Sequence, residues 1–343
     1  NDVPTNADVR NPRNRIINPT MTISQENGFA TGFAGVDTNF YVSDEVFTNT
    51  SSASNGGIQK SYQTLEGERS VRLLVTTATT DLSGGNAAGT FGVKLEKANL
   101  SQLDDGDVAV AFKCRTNWAG KLSLSFRNGS NTRYYVTDID VVSGINQVFK
   151  VIPFETNTVS SQTLEDGKGL VMNIGFNNEG SLQHTASNND TWISGVAYCS
   201  DESTQWTKTL GNYLEITNRD LYSGNVPREF QPNSYAYDLA ECQRYGFLIP
   251  KGTIAQVYNN TSVIFFVEKN FRTTGLVINA LIAGAIVWDD LPAITTRTST
   301  STPNKYSTSE GGVSIVLSGF SGLTIGRFLV LISSDAYFVN ARL

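Results

Sequence analysis

The residues of this chain that are best suited to bind a ligand are aromatic. Sugar recognition needs a flat ring for the C–H face of the sugar, with amide and carboxylate groups for its hydroxyls. Trp118, Trp206 and Trp288 each lie among such polar residues, and Asp289 directly follows Trp288. Trp206 and Trp288 are the better candidates, and Tyr306 is a third. Core packing is the competing interpretation for each tryptophan.

Residues for catalysis are sparse. The one histidine, His184, lies in a polar stretch, which excludes a metal site built from several histidines. We predict that it is a solvated loop residue. Asp289 and Asp290 could act as acid and nucleophile in a glycosidase, but neighbouring strand residues point to opposite faces, so we predict turn carboxylates. No GxSxG, HExxH, GxGxxG or P-loop motif is present, and we predict that the chain is not an enzyme.

One acidic cluster has ligand types that suit calcium. Asp104, Asp105 and Asp107 surround Gly106, and hard cations prefer grouped carboxylates. The cluster lacks the full spacing of a calcium-binding loop, which favours a surface turn. Structural calcium at these residues is the alternative, and no other cofactor is expected.

Three widely spaced cysteines, Cys114, Cys199 and Cys242, form no CxxC pair. This spacing makes a zinc site a poor interpretation and predicts free buried thiols. Free thiols are typical of a protein that folds in a reducing bacterial cytoplasm.

The composition excludes several classes of protein. The 343 residues have a net charge of −6, with 39% apolar and 17% charged residues. Without lysine and arginine clusters, the acidic chain is poorly suited to bind nucleic acid. No apolar run approaches the ~20 residues of a membrane helix, so membrane insertion is not expected. Abundant Asn, Ser, Thr and Gly are typical of strands joined by polar turns, and 18 Phe and 13 Tyr indicate packed cores.

Apolar and polar residues alternate in many short segments, which is typical of strands that are buried on one face. Together with turn-rich connections, this pattern predicts an all-β jelly-roll sandwich. The first predicted strand lies around Met21 and Ile23, within Asn14–Gln25. The other predicted strands of this first domain are Phe40–Phe47, Ser70–Thr77, Thr90–Ala98, Val108–Thr116, Leu122–Arg127, Arg133–Asp138, Gln147–Pro153, Gly169–Asn177, Trp192–Tyr198 and Asn212–Thr217. Trp192 heads an apolar segment and is predicted to be in the core.

A single amphipathic helix interrupts the strands. Tyr235, Leu239 and Cys242 follow at i, i+4 and i+7 and are predicted to share one helix face. Pro232-Asn233-Ser234 is a suitable start, and Gly246 followed by Pro250 is a suitable stop. We predict that this helix links the sandwich to a smaller C-terminal β domain.

The chain therefore divides into four predicted segments: an arm at 1–13, a jelly-roll domain at 14–230, a linker helix at 231–247 and a β domain at 248–343. In the last segment, Leu276–Trp288 is predicted to form two strands. The Thr/Ser-rich stretch Thr295–Ser309 is predicted to be a mobile solvated loop, or alternatively a loop that contacts a target. No heptad repeat is present, so oligomerisation would use β-domain faces.

Several motifs occur in the order found in bacteriophage tail-fibre and head-spike proteins, which this chain resembles over about residues 14–247. They are Asn14–Gln25, Phe126-Arg-Asn-Gly with Arg133-Tyr-Tyr, Glu215–Gly224 and Leu239-Ala-Glu-Cys-Gln-Arg-Tyr245. Within the third motif, Asp220 and Tyr222 replace the family's Gln and Glu.

The resemblance implies a spike or fibre protein of the virion surface that attaches to bacterial host cells. It implies a homotrimer that binds surface or capsular polysaccharide and contacts other virion proteins, with multivalency raising the avidity of weak sites. Two alternatives remain: a polysaccharide-degrading or polysaccharide-modifying enzyme of a phage particle, and a structural decoration or connector that binds no glycan.

Overall fold

The protein consists of two compact units, Asn1–Asp238 and Leu239–Leu343. Its structure is a computed structural model that describes residues 14–24, 33–34, 40–43, 46–50, 57–78, 89–100, 103, 106–154, 168–177, 182–248, 253–259, 261–268, 277–280, 286–291, 295–299, 304–309, 312–318, 320, 323, 328–331 and 337–340. The predicted arm at 1–13 lies outside these residues. In the described ranges, no helix is long and apolar enough to cross a membrane.

Unit 1 is built from short strands with one four-residue helix, α1 (Lys97–Leu100). The strands are β1 Phe33–Ala34, β2 Phe40–Ser43, β3 Val46–Thr50, β4 Gly57–Leu65, β5 Glu68–Thr77, β6 Gly89–Glu96, β7 Asp107–Thr116, β8 Gly120–Asn128, β9 Arg133–Val141, β10 Gly144–Pro153, β11 Lys168–Asn177, β12 Gln183–His184, β13 Ile193–Ser194, β14 Cys199–Ser200 and β15 Tyr213–Ser223.

Two antiparallel sheets form a sandwich. Sheet A has the order β1-β4-β5-β15-β7-β10, and sheet B has the order β13-β9-β8-β11-β6-β3-β2. Alternate residues of both sheets fill one core, such as Leu73 and Phe112 from sheet A with Phe91 and Leu124 from sheet B. Burial of such side chains is the main driving force for folding. The predicted all-β jelly-roll class is confirmed.

Most predicted strands occur within a few residues of the expected positions, but two differences are informative. The strand β4 was not predicted, although its residues alternate in burial. The predicted strand Trp192–Tyr198 contains only the two-residue β13, which pairs with β9 at the edge of sheet B, because the chain then turns so that Ala197 packs on the outer face of that sheet.

The prediction of a strand at Met21–Ile23 is wrong. Met21 has a φ of 53°, which a strand does not allow. The side chain of Asn18 accepts a hydrogen bond from the Ile23 amide at 3.1 Å and donates one to the Ile23 carbonyl at 2.8 Å. A side-chain amide therefore satisfies backbone groups that a neighbouring strand would otherwise have paired.

The predicted helix is present as α2 (Tyr235–Tyr245). Ser234 caps it, because its hydroxyl accepts a hydrogen bond from the Tyr237 amide at 3.3 Å. The residues predicted to share one helix face differ in burial. Cys242 is buried, but Tyr235 is 60% exposed, and Asp238 is buried in its place. The Asp238 carboxylate can be buried because it accepts a hydrogen bond from Asn233.

Unit 2 is also a β structure. Its strands are β16 Gly246–Leu248, β17 Ile254–Asn259, β18 Ser262–Glu268, β19 Val277–Ala280, β20 Ile286–Leu291, β21 Thr295–Ser299, β22 Asn304–Ser309, β23 Gly312–Leu317, β24 Phe328–Leu331 and β25 Tyr337–Asn340. They form a three-stranded sheet, β16-β25-β19, and a seven-stranded sheet, β21-β20-β24-β17-β18-β23-β22.

Two predictions for unit 2 need correction. The Thr/Ser-rich stretch Thr295–Ser309 is not one loop, because it contains two strands at opposite edges of the large sheet. Strand β21 pairs with β20, and strand β22 pairs with β23. Threonine favours strands, which offsets the polar composition of the stretch. Asp289 and Asp290 belong to β20 and are not turn residues.

Candidate functional site

The outer face of sheet B is covered by the chain itself. The segment 182–204 lies across it, so that Ala197 packs on Tyr134 and Val136 of β9. Ser125 of β8 and Asn173 of β11 are consequently fully buried, although both point away from the sandwich core. The part of this face formed by Tyr134, Val136, Ser125 and Asn173 is therefore not available to a ligand.

A hydrogen-bond network anchors this covering segment and includes His184. The His184 Nε2 atom lies 2.7 Å from the Asn189 Oδ1 atom, and the Asn189 amide donates to Asp138 at 2.8 Å. The hydroxyls of Ser123 and Ser200 donate to the same carboxylate at 2.6 Å each. The predicted solvent exposure of His184 is wrong: the ring is 6% exposed and packs edge-to-face on Tyr134.

The network does not form a catalytic triad. Asn189 lies between His184 and the carboxylate, and both serine hydroxyls donate to Asp138. A nucleophile would need its hydroxyl bonded to the imidazole base. These contacts explain how a polar segment stays fixed on a sheet, since the half-buried Asp138 carboxylate gains three hydrogen bonds from Ser123, Ser200 and Asn189.

The binding interpretation of Trp118 and Trp206 is not supported by their positions. The two indoles stack on each other, with centroids 5.9 Å apart and planes 8° apart. Trp206 is 1% exposed and Trp118 is 8% exposed. Both rings belong to the sandwich core, together with Trp192, whose predicted core position is confirmed.

The remaining predicted site residues cannot be placed by the structure. The side chains of Trp288, Asp289 and Tyr306 and the residues Asp104 and Asp105 lie outside those that the structure describes. The Asp107 carboxylate accepts a hydrogen bond from the Asn225 amide at 3.0 Å. No group of three or more metal-ligating side chains occurs in the described part of the chain.

One end of the outer face of sheet A is also covered. The Arg228 guanidinium lies 3.9 Å from the centroid of the Tyr222 ring and forms a bidentate pair with Asp220, at 2.8 Å and 3.0 Å. Asp220 is nearly fully buried. Burial raises the pKa of this carboxyl, and the hydrogen bonds from Arg228 oppose that shift.

The other end of this outer face is open and carries an ordered row of charges. Arg72 of β5, Glu215 of β15 and Arg115 of β7 are direct cross-strand partners. We call these three residues the Arg–Glu–Arg row. The Glu215 side chain is fully buried, whereas those of Arg72 and Arg115 are 25% and 30% exposed. The row therefore has a buried acceptor at its centre and two donors that reach the surface.

Glu215 holds both guanidinium groups through one oxygen. Its Oε2 atom accepts bonds from Arg72 at 3.0 Å and 3.2 Å and from Arg115 at 2.7 Å and 3.2 Å. Its Oε1 atom accepts a bond from the Ser70 hydroxyl at 2.5 Å. The hydrogen bond to Glu215 raises the pKa of Arg115 above its ordinary value. Charge-assisted bonds of this kind are stronger than neutral ones and fix the side-chain geometry.

Tyr213 lies beside the row and adds an aromatic ring. The Arg72 guanidinium is 4.6 Å from the ring centroid, which is a cation–π distance. The Asn117 side chain accepts a hydrogen bond from the Tyr213 amide at 2.9 Å, which fixes the start of β15. The ring is half-buried. A partly exposed ring next to fixed planar donors is an arrangement that suits the apolar and hydroxyl faces of a sugar.

Sequence analysis did not identify these residues. One signal was present: Arg72, Arg115 and Glu215 are charged residues in strands whose neighbouring positions are buried. Their contact was not predictable, because Glu215 is 143 residues from Arg72 and 100 residues from Arg115 in the chain.

No protein-family model and no curated protein sequence matches this chain. Three solved structures are similar to part of it. A putative sugar-binding protein from Bacteroides thetaiotaomicron VPI-5482 is 12% identical with a TM-score of 0.33, covering 62% of this chain and 100% of that protein. A family 11 carbohydrate-binding module of a Clostridium thermocellum cellulase is 8% identical with a TM-score of 0.29, covering 58% of this chain and 100% of that module. A domain of bacteriophage CBA120 tailspike protein 4 is 12% identical with a TM-score of 0.28, covering 62% of this chain and 21% of that chain. At these values the similarities assign no function.

Proposed function

We propose that the chain is a non-catalytic carbohydrate-binding protein whose ligand lies on the open end of sheet A. The observation that carries this proposal is the Arg–Glu–Arg row next to the half-buried ring of Tyr213. Guanidinium groups held in place can donate to sugar oxygens, and the ring offers a surface for sugar C–H groups. Binding of this kind needs no cofactor.

We further propose that the protein is a virion surface spike or fibre that attaches to bacterial surface polysaccharide. The support for this finer role is the order of motifs that resembles tail-fibre and head-spike proteins over about residues 14–247. A single shallow site binds weakly, so attachment would require several copies on one particle. The protein would be made in the bacterial cytoplasm, which agrees with three free, buried cysteines, and it would be fixed to the particle by other virion proteins.

A homotrimer would supply this multivalency, and unit 2 has a surface suited to contact between copies. A groove of about 290 Å³ is lined by uncharged residues: Ile254, Gln256, Ile264, Phe265, Phe266, Ser314 and Phe328. Ile254 and Phe266 are 59% and 52% exposed, which is unusual for large apolar side chains. Copies of a chain with a net charge of −6 repel one another, so an uncharged contact surface favours self-association.

A glycan array and whole bacterial cells test the proposed binding. We expect wild-type protein to bind at least one polysaccharide, and we expect Tyr213→Ala to weaken that binding tenfold or more. Tyr235→Ala is the matched control, because Tyr235 is an exposed tyrosine on α2 and not on sheet A. Equal binding by both variants would contradict the assignment of the site.

Two other outcomes would favour different functions. Shortening or deacetylation of a polysaccharide by the purified protein would indicate an enzyme and overturn the non-catalytic proposal. Firm attachment to virions without any glycan or cell binding would indicate a structural decoration or connector.

A further inference from the structure

The Arg–Glu–Arg row carries one more positive charge than negative. Each guanidinium contributes one positive charge, and Glu215 contributes the only negative charge of the row. The carboxylate has no capacity to spare, because Ser70 occupies one oxygen and both arginines occupy the other. A surplus positive charge at a partly exposed position attracts an anionic group, even in a chain whose net charge is −6.

Both arginines also keep hydrogen-bond donors that are directed away from Glu215. Each uses Nε and Nη2 for the carboxylate, and its Nη1 group forms no hydrogen bond with any described residue. The two Nη2 atoms lie within 3.0 Å of the same oxygen, so they are no more than about 6 Å apart. Each Nη2 also carries a second N–H, which lies on the same edge of the guanidinium as Nη1. Two planar donor edges that begin at this separation suit one oxyanion that contacts both.

The donors are positioned before any ligand arrives. β5, β15 and β7 are interior strands of sheet A, and hydrogen bonds to a fully buried carboxylate hold the two side chains. The Tyr213 ring lies against Arg72. Ordering two long side chains normally opposes binding, and here that entropy is already lost during folding.

We propose that the Arg–Glu–Arg row binds the carboxylate of an acidic sugar, so that the glycan on sheet A contains uronic acid or another carboxylated residue. This inference rests on the proposed carbohydrate-binding function and specifies its ligand class. Tyr213 contacts the sugar ring, and the free edges of Arg72 and Arg115 contact the carboxylate.

The ligand class is tested by binding to uronate-containing polysaccharides, polygalacturonate among them, each measured beside its carboxyl-reduced form. Biolayer interferometry at constant ionic strength gives the dissociation constants, and dextran sulfate is a third arm. We expect a carboxylated polymer to bind at least tenfold more tightly than its reduced form and than dextran sulfate. Equal binding of the reduced form overturns the acidic-sugar proposal and leaves carbohydrate binding intact. Equal binding of dextran sulfate shows a general anion surface and also overturns it, whereas no binding to any glycan overturns both proposals.

Variants separate the fixed arginines from general electrostatic attraction. Arg115→Met removes one of the two guanidinium groups, and Arg115→Lys keeps the charge but removes the planar fork of donors. We expect both variants to bind the carboxylated polymer at least tenfold more weakly than the wild-type protein. Lys113→Met is the control, because Lys113 lies two residues earlier on the same face of β7 and pairs with Glu66 at 2.7 Å. We expect it to lose less than threefold. Equal losses for Lys113→Met and Arg115→Met would overturn the proposal, as would wild-type affinity in Arg115→Lys. Thermal unfolding of each variant confirms that it is folded.

Discussion

Replacing Glu215 with glutamine tests the energetic account of the Arg–Glu–Arg row. The substitution keeps the shape of the side chain and removes its charge, so two guanidinium groups remain close together without a counter-ion. Hydrogen bonds that involve a charged group contribute about 1.5–3 kcal/mol each. Arg72 and Arg115 are 25% and 30% exposed, so water replaces part of each lost interaction. We therefore take about 1.5 kcal/mol, the lower end of that range, for each of the two arginine partners. Glu215→Gln should then lower the free energy of unfolding by about 3 kcal/mol.

Urea denaturation followed by tryptophan fluorescence measures this loss. Trp118, Trp192 and Trp206 are buried in unit 1, so a Trp288→Phe background restricts the emission to that unit. A constant slope of the free energy against urea concentration shows that the extent of unfolding is unchanged. A midpoint equal to that of the parent protein would refute the estimate.

A second comparison separates lost charge pairing from lost packing. Removing one partner of a buried pair is costly, whereas replacing the whole group with apolar residues is often nearly neutral. The triple variant Arg72→Met, Glu215→Leu, Arg115→Met should therefore lie within about 1 kcal/mol of the parent protein and be more stable than Glu215→Gln. If the triple variant is as unstable as the single variant, the unpaired guanidinium groups are not the cause.

Other parts of the structure give three further predictions. Gly175→Ala should lower the free energy of unfolding by about 1–3 kcal/mol, because its Cβ would overlap the carbonyl oxygen of Tyr198. The control Gly106→Ala adds a Cβ in open space and should change that free energy by less than about 0.5 kcal/mol in the same urea assay. Burial raises the pKa of the Cys114 thiol to about 12, so iodoacetamide at pH 8.5 should alkylate it only in denaturant, as mass spectrometry would show. Light scattering should give the mass of three chains for the wild-type protein and of one 37.3 kDa chain for Phe266→Ser. A monomeric wild-type protein, or a trimeric Phe266→Ser variant, would contradict the proposed contact.

Local signals predicted much of the fold. Alternating apolar residues located β7 and β8 almost completely, since a strand with one buried face requires a period of two. The segment Pro232-Asn233-Ser234 indicated the start of α2, where the Ser234 hydroxyl accepts a hydrogen bond from an amide of the first helical turn. The absence of paired cysteine spacing correctly indicated free, buried thiols.

The candidate site was not predictable in the same way. Trp206 was a binding candidate because of its polar neighbours, yet it stacks on Trp118 in the core. His184 was expected in solvent, yet the segment that contains it is fixed on sheet B by Asp138. In each case, a partner that is distant in sequence determined the burial of the side chain, and the local sequence holds no information about that partner.

The amino-acid sequence by itself determined the class of structure, because period-two alternation, helix capping and turn residues act over a few neighbouring positions. Only the tertiary structure decided which polar residues meet. β15 pairs with β5 on one side and β7 on the other, and this order brings Glu215 between Arg72 and Arg115. The strand order depends on how the whole sandwich buries its apolar faces, so the composition of this candidate site follows from packing across the entire unit.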